Sequence, residues 1–130
     1  MTQILQPPDW ARARGYSNGL VMNGRLVFIA GQIGWDAQQQ FHSDDFADQT
    51  QQALQNILTV LAEAGGKPEH IARLTWFVVN KQEYLASTKK LGNVYRELMG
   101  THYPVMSVVQ VTALMEDAAK VEIEATAVIP

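Results

Sequence analysis

The chain has 130 residues, 47% of them hydrophobic and 18% charged, with a formal net charge of −3 and no cysteine. This length predicts one domain over residues 1–130, and the low charge of so small a domain favours an oligomer. The acidic balance argues against nucleic-acid binding, which requires cationic residues, and the missing cysteines exclude disulfides, thiolate nucleophiles and thiolate metal sites.

Residues 1–14 contain the adjacent prolines Pro7 and Pro8 and are predicted to form an extended lead-in. They lack both the basic start and the apolar run of a signal peptide. No apolar stretch in the chain approaches the roughly 20 residues that a membrane-spanning helix needs. We therefore expect a cytoplasmic protein without a membrane partner.

The first two predicted strands flank an Asn-Gly pair. Two segments that favour strands, 20–22 and 25–30, lie on either side of Asn23 and Gly24 and are apolar except for Arg25. A type I′ turn needs positive φ at both central residues, and Asn followed by Gly meets this need best. The pattern predicts a β-hairpin.

The first helix is predicted at residues 43–64. Ser43 or Asp44 is suited to cap its start, and Gly65 followed by Gly66 ends it. Apolar residues recur at three- and four-residue steps, which predicts one buried stripe. The stripe consists of Phe46, Thr50, Ala53, Leu54, Ile57, Leu58 and Leu61.

A second helix is predicted at residues 80–99. Asn80 and Glu83 have the spacing of a capping box, and Gly100 follows the last helical residue. The predicted buried stripe consists of Tyr84, Thr88, Leu91, Tyr95 and Leu98.

Three further strands are predicted at residues 73–79, 104–112 and 119–128. In the last of them apolar and polar residues alternate, so that one face is apolar and the other carries Glu122 and Glu124. The element order is ββ-α-β-α-ββ. Because strands and helices do not alternate regularly, we predict an α+β fold in which both helices pack on one face of a mixed sheet.

The residues that commonly bind metals or cofactors form no recognisable site. His42, His70 and His102 are far apart and have no metal-ligand spacing. The chain contains no nucleophile elbow, phosphate-binding loop or dinucleotide fingerprint. A reaction would therefore use carboxylates, hydroxyls, backbone groups and water, and we expect no cofactor.

Five segments together carry a family resemblance. They are Gly-Tyr-Ser-Asn-Gly at 15–19, Ala-Gly-Gln-Ile at 30–33, the helical segment 49–57, Pro-Val-Met-Ser at 104–107 and Val-Glu-Ile-Glu-Ala at 121–125. In this order and spacing, residues 15–128 resemble the RidA/YjgF family of small imine/enamine deaminases. The resemblance implies a chorismate-mutase-like fold, a homotrimer, and clefts between subunits that bind a small metabolite.

Three residues take their expected roles from this resemblance. Glu122 occupies the position of the carboxylate that holds and activates the hydrolytic water, and a general base of this kind needs hydrogen-bond reach and a suitable pKa. Gly31 matches the glycine whose bare backbone lines the cleft. Tyr16 matches the tyrosine at the cleft mouth. Without the resemblance, the three would be interpreted as a solvated strand residue, a turn glycine and a packing tyrosine.

Met106 departs from the family pattern. Deaminating members carry an arginine here that binds the substrate carboxylate through paired hydrogen bonds, which a thioether cannot form. Val108 follows Met106 on the same strand face, so we expect an apolar cleft floor. The family's asparagine on the second helix is also replaced, by Gly92. Arg14 lies on a segment expected to approach the cleft, and we hypothesise that it reaches the ligand, although a solvated arginine is the alternative.

The resemblance, with Met106 in place of the arginine, therefore implies a cofactor-independent imine or enamine deaminase that does not act on 2-aminoacrylate itself. The rival prediction is a trimer of the same family that binds a small metabolite without catalysis. A third interpretation, ribonuclease activity, is disfavoured because the chain has no basic patch.

Overall fold

The computed structural model describes residues 2–130, and this part of the chain contains six strands, three α-helices and one 3₁₀ turn. No helix in residues 2–130 has both the length and the apolar character that crossing a bilayer requires. In chain order the elements are β1 Thr2–Leu5, β2 Gly19–Met22, β3 Arg25–Ile33, α1 Phe46–Ala62, the 3₁₀ turn Pro68–His70, β4 Ile71–Val78, α2 Lys81–Ala86, α3 Thr88–Met99, β5 Val105–Gln110 and β6 Val121–Ile129.

Four strands form the main sheet, in the order β3-β6-β4-β5. Strand β6 pairs antiparallel with both of its neighbours, whereas β4 and β5 are parallel. The chain connects the parallel pair through α2 and α3, as a crossover between parallel strands requires. The predicted mixed sheet is therefore confirmed.

One face of the sheet packs against the helices and forms the core. On β6 the buried residues Val121, Ile123 and Ala125 alternate with Glu122 and Glu124, as predicted. The predicted α1 stripe is buried except for Leu58, which is partly buried against the same core. The opposite face of the sheet has no cover within residues 2–130. There the side chain of Phe28 is 74% exposed.

The predicted β-hairpin was wrong. Strand β2 pairs with β1 in a separate two-stranded sheet, and β3 pairs with β6. Residues 2–5, which were expected to belong to an extended lead-in, thus form strand β1. Gly24 has φ 151° but Asn23 does not take positive φ, so the pair does not form a type I′ turn. A side chain at Gly24 would overlap the backbone of Ile129, so the glycine lets the chain pass close to the end of β6.

The first helix begins later than predicted. Its N-cap is Asp45, whose carboxylate accepts a hydrogen bond from the Asp48 backbone N–H at 3.0 Å. The predicted caps, Ser43 and Asp44, were therefore wrong. The Ser43 hydroxyl instead accepts from the Asp45 N–H and donates to the Asp48 carboxylate. Gly65 has φ 80° and lies beyond the end of the helix, as expected.

The predicted second helix is two helices. Asn80 caps α2, because its side-chain oxygen accepts from the Glu83 N–H at 3.1 Å. At Ser87 the backbone leaves helical geometry, and the Ser87 hydroxyl donates to the Glu83 carbonyl at 2.8 Å. Such a bond competes with the helical backbone bonds and bends the chain. Thr88 is exposed, so its place in the predicted stripe was wrong.

Candidate functional site

Glu122 and Gly31 lie against each other on the open face of the sheet. An ideal Cβ atom built on Gly31 would lie 2.5 Å from Glu122 Oε2 and 2.6 Å from its Cδ. Any side chain at position 31 would therefore collide with the carboxyl group. The glycine that the sequence singled out allows the Glu122 carboxylate to lie directly on the backbone of β3.

The backbone of β3 is irregular at this point. The pairing with β6 shifts register between Ile29 and Gln32, and Ala30 and Gly31 have no Cα partner on β6. The side chain of Gln32 donates to the Ala30 carbonyl at 3.1 Å. Bulges of this kind are frequent beside active sites, where they redirect a side chain or interrupt pairing.

The Glu122 carboxylate has free hydrogen-bonding capacity. It takes part in none of the three ion pairs formed within residues 2–130. Glu122 is half-buried, whereas Glu124, on the same strand face, is exposed. A half-buried carboxylate with unused acceptor sites is suited to hold a water molecule and to remove its proton.

Met106 and Arg14 line one cavity on the other side of the sheet. The cavity has a volume of about 370 Å³, and Trp76, Gly92 and Arg96 also line it. The N-terminal segment thus brings Arg14 to the region where the family arginine is missing. A role for Arg14 in ligand binding stays a prediction.

Tyr16 and Val108 lie outside both of these sites. Tyr16 is 42% exposed and lines a separate hollow with Ser17 and Tyr103. The Ser17 hydroxyl donates to the Tyr103 carbonyl, which fixes this segment beside the start of β5. Val108 is partly buried against the core on the same strand face as Met106, as the alternation predicts.

The two sites face opposite sides of the sheet. The Cα partner of Glu122 on β4 is Phe77, whereas that of Met106 is Leu74. Leu74 is fully buried under the helices, and residues three apart on a regular strand point to opposite faces. A single chain therefore cannot present Glu122 and Met106 to the same small ligand.

The three histidines have structural partners. His42 lies 2.5 Å from Asp36, and this hydrogen bond is the main reason that the pKa of Asp36 is lowered. His70 accepts a backbone N–H, and His102 lies 2.6 Å from the Ile71 carbonyl. Within residues 2–130 no group of three His, Cys, Asp or Glu residues is arranged to hold a metal ion.

Several residues of the Met106 cavity were not identified from the sequence. Trp76 was assigned to a strand and Tyr84 to a core stripe, and burial raises the pKa of Tyr84. Arg96 belongs to no motif in the sequence. Its spacing of four residues from Gly92 was the available signal, because residues at this spacing are neighbours on a helix surface.

Comparisons with known proteins agree with this architecture. The family model described as Endoribonuclease L-PSP matches residues 8–129. The chain is 33% identical over 128 residues to a RutC family protein of Pyrococcus horikoshii, with 98% of each chain covered. It is 27% identical over 114 residues to the human 2-iminobutanoate/2-iminopropanoate deaminase. This match covers 87% of this chain and 79% of the human protein. The solved structure of the Rid-family protein YyfB from Yersinia pestis has a TM-score of 0.88 at 30% identity, with 98% of each chain covered. The chain therefore belongs to the RidA/YjgF family and has its α+β, chorismate-mutase-like fold.

Proposed function

We propose that this protein is a cofactor-independent deaminase that hydrolyses a reactive imine or enamine to a carbonyl compound and ammonia. The observation that carries the proposal is the Glu122 carboxylate lying on the bare backbone of Gly31, with unused acceptor sites. Membership of a family that includes a protein named as an imine deaminase supports it.

The reaction follows from ordinary carboxylate chemistry. Glu122 accepts a proton from water as the water oxygen adds to the imine carbon, and it then passes that proton to the imine nitrogen. Glu122 next moves the hydroxyl proton of the carbinolamine to the amine nitrogen, so that ammonia leaves as the C–N bond breaks and a carbonyl group remains. One imine and one water thus give one carbonyl compound and one ammonia. In this proposal the irregular backbone around Gly31 holds the substrate beside the water.

We also propose that the functional form is a homotrimer with the active sites between subunits. Glu122 and Met106 face opposite sides of one chain, so a shared cleft needs Glu122 from one copy and the Met106 cavity from another. The uncovered sheet face, with Leu26 62% and Phe28 74% exposed, supports burial against other copies. In this proposal Tyr16, which lines the separate hollow beside Ser17 and Tyr103, would close the mouth of the cleft.

The residue at position 106 argues against a small acidic substrate. The Met106 thioether cannot form the paired charged hydrogen bonds by which an arginine holds a carboxylate. Met106 and Val108 provide an apolar surface in its place. We therefore propose a larger, more apolar substrate than 2-aminoacrylate.

A metabolite-binding trimer without catalysis is the second candidate, and the absence of an arginine at Met106 is the observation that favours it. In that case ligands would raise the unfolding temperature without forming product. RNA cleavage is disfavoured by the net charge of −3.

The deciding experiment compares imine hydrolysis by wild type, Glu122→Gln and Glu124→Gln. An amino-acid oxidase generates imines in situ, semicarbazide traps those that survive, and released ammonia is quantified. Wild type and Glu124→Gln should accelerate imine loss, whereas Glu122→Gln should not, with the oligomer intact in all three. Equal activity of Glu122→Gln and wild type would exclude Glu122 as the base. No acceleration by wild type with acidic, apolar or aromatic imines would favour the binding trimer.

A further inference from the structure

The cavity beside Met106 contains two arginines and no acidic residue. Arg14 lines it from the N-terminal segment and Arg96 lines it from α3. Neither guanidinium belongs to an ion pair formed within residues 2–130. Two uncompensated positive charges at the edge of one cavity produce a positive potential, which favours an anionic ligand.

Arg96 is held in place by its neighbours on α3. Its Nη2 donates to the Asn93 side-chain oxygen at 2.6 Å. An ideal Cβ atom on Gly92 would lie 3.4 Å from Arg96 Nη1, so the guanidinium lies beside the bare backbone of Gly92. A longer side chain at position 92, such as the asparagine of the family pattern, would compete for this space. A Cβ atom alone would make ordinary contact at this distance, so the polar end of a longer side chain is what would compete with the Arg96 guanidinium in the cavity wall.

Aromatic rings form much of the remaining wall. Trp76 and Tyr84 meet edge to face with ring centroids 6.1 Å apart, and Tyr95 and Tyr103 are stacked at 5.5 Å. Trp76 is 4% exposed, and its indole N–H has no hydrogen-bond partner within residues 2–130. Aromatic walls with a few polar groups at the edge are typical of pockets for apolar ligands that carry one charged end.

We infer that Arg96 binds the substrate carboxylate in place of the arginine absent at Met106, and that the substrate is an aromatic 2-imino carboxylate. The inference rests on the proposed deaminase function and names its substrate class. The guanidinium of Arg96 forms paired hydrogen bonds with the carboxylate, and the substrate ring packs on Trp76 and Tyr84. Met106 contributes a thioether contact to the same ring, and Arg14 adds a second positive charge.

Calorimetric titration with phenylpyruvate and pyruvate tests the inference without turnover, because both are stable keto acids. Wild type should bind phenylpyruvate more tightly than pyruvate. Arg96→Gln should weaken phenylpyruvate binding about ten- to a hundredfold, the range for losing a hydrogen-bonded charge. Arg96→Lys keeps the charge without the paired geometry and should weaken binding less. Lys89→Gln, which removes one positive charge from the same helix outside the cavity, should bind as wild type does.

A second variant protects the test against an indirect effect of Arg96→Gln on the fold. Adding Met106→Arg to Arg96→Gln should restore carboxylate binding from the strand side, now with pyruvate bound at least as well as phenylpyruvate. Circular dichroism and the oligomer mass report whether each variant is folded. Equal phenylpyruvate affinity in wild type and Arg96→Gln would overturn the inference. So would equal affinity of wild type for the two keto acids, or no binding of either.

The outcomes separate this inference from the proposed function. If phenylpyruvate binds through Arg96 but no acidic, apolar or aromatic imine is hydrolysed faster than in buffer, the anion site stands and the deaminase proposal fails. If only the imine of phenylalanine is not hydrolysed faster than in buffer, the assigned substrate class is refuted. If that imine is hydrolysed and Arg96→Gln changes neither binding nor turnover, the deaminase proposal stands and the role of Arg96 is refuted.

Discussion

Replacing Gly31 with Ala should reduce catalysis without unfolding the protein. The added methyl carbon would lie 2.5 Å from Glu122 Oε2 and 2.8 Å from its Cγ, whereas ordinary van der Waals contact begins at 3.4 Å. The carboxyl group must therefore retreat by about 1 Å. A shift of this size in a catalytic group can cost on the order of a hundredfold in rate, so we expect a loss of that order in Gly31→Ala.

The effect on stability should be small, because the three atoms nearest to the added methyl all belong to the Glu122 side chain, which can move. Gly31 is not among the residues with positive φ, so alanine fits the backbone there. We expect the free energy of unfolding to change by less than about 1 kcal/mol. At Gly34, by contrast, a Cβ atom would lie 2.8 Å from the Gln49 Cα in α1. Gly34→Ala should therefore destabilise the fold by about 1–3 kcal/mol.

Imine loss in the semicarbazide assay gives the rates, and urea unfolding gives the stabilities. The two alanine variants should differ in kind, with activity lost in Gly31→Ala and stability lost in Gly34→Ala. Full turnover by folded Gly31→Ala would show that the carboxylate need not lie over residue 31 to activate water. Unfolding of Gly31→Ala would show instead that the contact between Gly31 and Glu122 is structural.

Three further substitutions test a buried glutamine, an ion pair and the exposed face of the sheet. Gln49→Leu removes three hydrogen bonds to backbone groups and should lower the free energy of unfolding by about 3 kcal/mol in urea titrations; a change below about 1 kcal/mol would contradict it. The hydrogen bond from His42 lowers the pKa of Asp36 below 3.8, so it stabilises the fold above that pH and is lost as the pH falls through the lowered value. Thermal unfolding of Asp36→Asn should therefore depend less on pH in the acidic range than that of wild type, and identical pH profiles would refute this. Phe28→Glu should reduce the oligomer mass in sedimentation, and an unchanged mass would place the subunit contacts elsewhere.

The elements that could be predicted from the sequence are those whose signal is local. The stripe of α1 and the alternation in β6 each repeat with the period of their own element, and both are buried as expected. The Asn23-Gly24 pair was misleading because a turn signal cannot reveal a distant partner. Strand β3 pairs along its length with β6, nearly one hundred residues later, and this ladder outweighs a short hairpin.

The candidate site was only partly accessible to sequence reasoning. The resemblance identified Gly31 and Glu122 separately, but their mutual contact depends on the bulge in β3, which no pattern in the sequence reveals. The position of Met106 on its strand face followed from alternation. The sequence does not indicate a binding role for Arg96, because an arginine on a helix with many polar residues has the pattern of a solvated face. Only the fold shows that this face borders a cavity.

The two departures from the family pattern, at Gly92 and Met106, have a common physical consequence. Both residues line the cavity that also contains Arg96. An arginine at position 106 beside Arg14 and Arg96 would place three positive charges in one cavity without a carboxylate, and their mutual repulsion would oppose folding in the absence of ligand. Methionine at 106 avoids that repulsion, and glycine at 92 has no polar side-chain end to compete with the Arg96 guanidinium. In the inferred site the anion-binding group is thus on the helix rather than on the strand, and the strand offers an apolar surface to the rest of the substrate.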